Sequence, residues 1–131
     1  MWPFFQKHNK PEALVEYNFG KMYFNRSLQC WDLSHNFGDF DFVVQGNRIP
    51  ESIKDNVEFL QALIKTECES CISALEKGWA DFTPYSLSCV SISIGEKVTY
   101  ELEFSSGKWP DAGWEFIFEA DGKLIGYIME D

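Results

Sequence analysis

The stretch from Ile49 to Gly78, IPESIKDNVEFLQALIKTECESCISALEKG, constrains the fold of this chain more than any other. Ile53, Val57, Leu60, Ile64, Cys68, Cys71, Ile72 and Leu75 recur mostly at steps of three and four, which gathers them on one face of a helix. Pro50 suits a first turn, Glu51, Ser52 and Asp55 bring acceptors and negative charge to it, and Gly78 after Lys77 is a stop signal. A helix over 51–77 would be roughly 40 Å long at about 1.5 Å per residue. An apolar stripe of that length must be buried against something.

Most of the rest of the chain reads as strand. Tyr17–Phe24 and Leu28–Leu33 are rich in aromatics around an Asn25-Arg26-Ser27 turn, and Phe40, Phe42 and Val44 alternate with Asp39, Asp41 and Val43 ahead of a Gly46-Asn47 turn. After the helix, Trp79–Tyr85 reads as a loop. Val90, Ile92 and Ile94 then alternate with Cys89, Ser91 and Ser93, Gly95-Glu96-Lys97 turns the chain, and Val98, Tyr100, Leu102 and Phe104 alternate with Thr99, Glu101 and Glu103. A long turn over 105–113 holds Trp109-Pro110, Trp114, Phe116 and Phe118 alternate with Glu115, Ile117 and Glu119, and Asp121-Gly122 is a strong two-residue hairpin signal before a return strand over 124–129. Short connections imply antiparallel pairing. The simplest burial of both amphipathic surfaces is an α+β fold: one curved antiparallel sheet, with strands before and after the helix, packed against that helix. A chain of 131 residues fits a single domain, residues 1–131. Its arm over 1–15 is expected to fray unless Trp2, Phe4 and Phe5 anchor it.

Charge is the most informative bulk property. Eleven basic and twenty-one acidic side chains leave a net charge of −10. Residues 1–49 are balanced, whereas residues 79–131 hold three basic and ten acidic side chains. Such a surface is repelled by nucleic acid and by anionic lipid, so neither is expected as a partner, and a macromolecular partner would be basic. The opening MWPFFQKHNK lacks the apolar run and cleavage site of a signal peptide, and no stretch approaches the roughly 18 apolar residues of a membrane helix. The expectation is a cytoplasmic protein, monomeric or weakly dimeric.

No stretch carries a recognisable catalytic pattern, and neither catalytic residues nor a metal or cofactor are expected. Cys68-x-x-Cys71 lies deep in the helix instead of at its N-terminus, where the dipole would lower a thiol pKa, so both thiols read as small hydrophobes. Asp39 and Asp41 lack a nearby histidine, and Asp32, Ser34 and His35 are triad residue types in mere sequence neighbourhood. There is no glycine-rich loop ahead of a helix to receive a phosphate.

What remains is surface. Glu101, Glu103, Glu115 and Glu119 are expected to project from the sheet face opposite the core, with Glu96 and Asp121 at turns and Asp111 in the loop. Trp109 or Trp114 would serve as an aromatic anchor at the edge. The bland alternative is a solvated outer face that keeps the protein soluble.

A long helix, then SLSCVSISIGEKVTYELEFSS, a tryptophan-containing loop and WEFIFEADGKLIGYIMED resembles small acidic bacterial immunity proteins of polymorphic or contact-dependent inhibition toxin systems. The resemblance covers approximately residues 37–131 and rests on element order, the acidic strands and the hairpin from Phe118 to Leu124. It implies a cytoplasmic, non-catalytic inhibitor of a cognate toxin, many of which are nucleases with basic clefts. Two other classes stay open: a small-molecule or enzymatic domain with an aromatic pocket between helix and sheet, drawing on Trp31, Trp79, Tyr85, Trp114 and the two helix cysteines, and an adaptor that self-associates through a sheet edge.

Overall fold

A computed structural model describes residues 14–17, 20–25, 30–33, 41–45 and 53–130. The described residues form eight strands and one long helix: β1 Leu14–Tyr17, β2 Gly20–Asn25, β3 Cys30–Leu33, β4 Asp41–Gln45, α1 Ile53–Gly78, β5 Tyr85–Ile94, β6 Val98–Ser106, β7 Gly113–Glu119 and β8 Leu124–Glu130. The fold is α+β, with one helix backing a single curved sheet. Spatial order follows chain order from β1 to β8.

All neighbouring pairs but one are antiparallel. β4 and β5 run parallel, with Phe42 opposite Val90 and Val44 opposite Ile92. That pair departs from the expected all-antiparallel sheet for a physical reason: the connection between these strands contains α1, and a helix is long enough to carry the chain back to the same end of the sheet.

α1 occupies nearly the span expected of it; Ile49 to Ser52, with the start signals around Pro50, lie outside the described residues. The helix runs through Gly78 instead of stopping before it, and the Trp79 N–H still donates to the Leu75 carbonyl at 2.7 Å. Ile53, Val57, Leu60, Leu63, Cys71 and Leu75 are buried, while Ile64, Cys68 and Ile72 pack at the margin of the core. Leu63 was not among the residues expected on this face. α1 lies across β5 and β6, where Phe59 meets the Tyr100 ring at 4.9 Å and Asn56 Nδ2 donates to the Tyr100 hydroxyl at 2.9 Å.

The helix-facing side of the sheet is the core: Phe42, Val44, Val90, Ile92, Tyr100, Leu102, Phe104, Trp114, Phe116 and Phe118 are all buried. β5 begins at Tyr85, within the expected loop, of which only Ala80–Phe82 forms a 3-10 turn. The pairing of β5 with β6 shifts register between Leu87 and Cys89. This bulge at Ser88 explains why the side chains facing α1 switch from odd to even positions along β5. The β7–β8 turn is one residue longer than the expected two-residue hairpin. The Gly122 N–H donates to the Glu119 carbonyl at 2.9 Å and Glu119 N–H to the Lys123 carbonyl at 2.9 Å, with Gly122 at φ +88°. A positive φ there is the reason a glycine is needed.

Expected features on 1–13, the Asn25-Arg26-Ser27 turn beyond Asn25, and residues 34–40, including Ser34, His35 and Asp39, lie outside the described residues. The arm expected to extend to residue 15 gives way to β1 at Leu14, and the single strand expected over Tyr17–Phe24 is divided between β1 and β2.

Candidate functional site: the acidic sheet face

The side of the sheet away from α1 gathers its polar residues in rows set by register. Ser91 stands opposite Glu101, which stands opposite Ile117; Cys89 stands opposite Glu103, Glu103 opposite Glu115, and Glu115 opposite Ile128. Glu130, paired with Gly113, lies two residues along β8 from Ile128. Odd positions on β6 and β7 and even positions on β8 therefore share this face.

Glu101 is not the exposed contact that strand alternation suggested. It is 6% exposed, and its carboxylate is held by three hydroxyls: Ser91 and Ser93 donate to Oε1 at 2.7 Å each, and Thr99 donates to Oε2 at 2.5 Å. Alternation assigns a face but not the depth on it. The legible signal was Ser-x-Ser on β5 set against Thr-x-Glu on β6, which brings three short donors to one acceptor. Hydroxyl donors to an ionised carboxylate satisfy it without a cation, so Glu101 belongs to the structure of the sheet and not to its open surface.

Glu103 and Glu115 behave differently. They are half-buried, directly opposed across β6 and β7, and among the described residues neither has a basic ion-pair partner. The Glu103 carboxyl is pushed above the usual glutamate range, first by burial and then by the Glu130 charge. Glu115 is pushed up by burial, then by Glu101, Glu103 and Glu130. The Glu130 charge thus adds to burial in raising the proton affinity of Glu103 and Glu115. Glu103 and Glu130 also line a cleft of about 410 Å³ with Ser88, Ser105, Asp111 and Gly113.

The remaining expected contacts divide. Glu96, Asp111 and Asp121 are exposed in turns and loops, and Glu119 is half-buried near the far end of β7. Asp121 Oδ1 also accepts the Lys123 N–H at 2.9 Å, a bond internal to its turn. Trp114, expected as an edge anchor, has zero exposure and is the centre of an aromatic cluster. Tyr85 lies 5.1 Å from it, Trp79 6.0 Å, and Trp109 and Phe82 6.2 Å each, centroid to centroid. Trp114 lies on the helix-facing side of β7, where the rings that follow α1 and the Trp109 loop cover it. Trp109 is half-buried against Phe82 at 4.9 Å. Its loop is pinned by Ser106, whose Oγ accepts the Lys108 and Trp109 N–H groups at 3.0 and 3.2 Å and donates to the Phe82 carbonyl. Of the rings considered as walls of a pocket between helix and sheet, Trp79 and Tyr85 therefore pack on Trp114, and Trp31 is buried on β3.

The helix thiols are free: Cys71 is buried and Cys68 half-buried. Burial first, then Cys68 and Glu67, pushes Cys71 to about 12. Cys68 is raised by burial and by Glu69. Neither is poised as a thiolate. Among the described residues no group of three or more His, Cys, Asp or Glu side chains is arranged to hold a metal ion, and no helix is long and apolar enough to cross a membrane.

Sequence reading missed the edge of the sheet. Leu124, Ile125, Tyr127 and Ile128 are 46%, 50%, 53% and 48% exposed. They had been read only as a return strand. Their apolar character on both faces was the available signal, because a strand with a neighbour on each side and a helix on one face would bury at least half of them. Glu130, beside them, completes the carboxylate group. Comparison of the chain with protein-family models, curated proteins and solved structures gives no match.

Proposed function

We propose that the chain is a non-catalytic binding protein that captures a basic protein partner on this face, in the manner of a bacterial immunity protein neutralising a cognate toxin in the cytoplasm. The observation that carries the reading is the grouping of Glu103, Glu115 and Glu130 without a cation among the described residues, next to an exposed apolar edge. Glu103 and Glu115 held this way are harder to ionise, and a lysine or arginine delivered by a partner relieves them. The contact set is narrower than the sequence suggested. Glu103, Glu115, Glu119 and Glu130 form it with Asp111 and Trp109 at one end and Asp121 at the other, while Glu101 and Trp114 act from beneath. A nuclease with a basic cleft is the partner chemistry that fits, the carboxylates standing where substrate phosphates would lie.

Co-expression with the product of the adjacent gene tests this. A toxic product tolerated only in the presence of this chain, with an association rate that falls steeply between low and high salt, is the expected result. Glu103→Lys together with Glu115→Lys should slow association at least tenfold. Association that ignores both salt and these substitutions refutes the reading.

A further inference from the structure

Among the described residues, β8 is the last strand of the sheet and pairs only with β7. On its outer side, among the described residues, backbone N–H and C=O groups have no ladder partner. From Gly126 to Glu130 the strand pairs with β7 in unbroken register, so this outer edge is straight enough to continue the ladder. The four large apolar side chains that stand exposed among the described residues all belong to it, interrupted only by Gly126. Neither lysine nor proline lies in the strand to blunt the edge; the bulge at Ile125, where the pairing with β7 shifts register, confines the regular edge to 126–130.

The two sides of this edge differ chemically. Towards α1, Tyr127 stacks on Phe116 at 5.2 Å and 16°, extending the apolar face beyond β7. Towards the other side, Ile128 ends the row that runs through Glu103 and Glu115, and Glu130 lies beside it. A strand added to β8 would place successive side chains alternately against the aromatic surface and against the carboxylates. A second copy of this chain fits poorly, because each copy carries −10 and would bring its own carboxylates to the seam.

We propose that β8 takes up, as a ninth strand, an extended segment of a basic partner in which lysine or arginine alternates with aliphatic residues. This rests on the reading of the chain as a binder of a basic protein, and it names how that partner docks.

The test uses the full chain, isotopically labelled, with the heptapeptide acetyl-Lys-Val-Lys-Val-Lys-Val-Lys-amide as probe. Amide hydrogen exchange in β8 should slow at least tenfold at saturation, and Ile128→Lys, with an unchanged circular dichroism spectrum, should weaken binding about tenfold. The same peptide with N-methylated valines keeps its charge but loses strand donors, and should bind at least tenfold more weakly. Equal binding by the two peptides overturns strand addition and leaves the basic-partner reading standing. Binding by neither also overturns it, whereas the basic-partner reading falls on a different result, co-expression without protection. Protection of β8 that appears without peptide and grows with protein concentration assigns the edge to a second copy and overturns the proposal.

Discussion

Replacing Glu115 by glutamine should make this protein more stable at neutral pH and leave it unchanged in acid. Glu115 stands directly across from Glu103, half-buried, with Glu101 and Glu130 as further negative neighbours. Opposed like charges on adjacent strands cost a few tenths to about 1 kcal/mol per pair. Glutamine keeps the shape and the hydrogen-bonding capacity while removing that repulsion and the burial of charge. A gain of about 1 kcal/mol is expected at pH 7, corresponding to a rise of about 3–4 °C in the thermal midpoint for a chain of this size. The pH dependence follows from linkage. Because the folded-state pKa values of Glu103 and Glu115 are raised, their protonated forms favour the fold. The stabilisation is complete below the ordinary glutamate range and is lost as pH rises through the raised values. Below the ordinary glutamate range, at about pH 3, both proteins carry a neutral group at this position, and their midpoints should converge. Calorimetric scans of the two proteins at about pH 3 and pH 7 measure the difference. An equal gain at both pH values, or a loss at pH 7, would refute the claim that repulsion on this face works against folding.

Three further outcomes are expected. Glu101→Ala removes the acceptor of three hydroxyl donors and strands the buried Ser91 hydroxyl, so urea unfolding should show a loss of about 3–5 kcal/mol, with Glu101→Gln in between. Trp114→Ala should destabilise by a similar amount, about 3–5 kcal/mol, through the cavity left among Trp79, Phe82, Tyr85 and Trp109, again read by denaturant midpoint. Cys71, its thiol held near 12 and its side chain buried, should resist alkylation at pH 8 in the native protein and react at the rate of a free thiol once unfolded; mass spectrometry of the modified peptide distinguishes the two.

Periodicity made much of this fold legible. The three- and four-residue steps from Ile53 to Leu75 marked α1, and the period-two runs marked β5 to β7, because each element buries one face and that demand is written locally. The parallel seam between β4 and β5 was not legible, since the direction in which a strand returns after a helix is decided by packing on the sheet. The Ser88 bulge hid for a related reason: an inserted residue reverses the parity of the residues before it without altering composition. On the candidate site, charge pointed to the C-terminal strands, and Glu103, Glu115 and Glu119 do lie on the face away from α1. Glu101 was misjudged because its depth comes from hydroxyls on its own and the adjacent strand, and Trp114 because its cover comes from rings after α1 and in the loop before β7. β8 was overlooked because an edge is a property of strand order, which no single segment contains.

That order has a kinetic side. Six of the seven strand pairings are closed by connections of two to seven residues, whereas β4 must find β5 across 39 residues. The entropy of loop closure is therefore concentrated in one seam, where Phe42, Val44, Val90 and Ile92 meet beneath the helix. Hairpins on either side can form and dissolve quickly on their own. The moment at which the chain commits to its native sheet is the docking of the segment that precedes α1 against the segment that follows it.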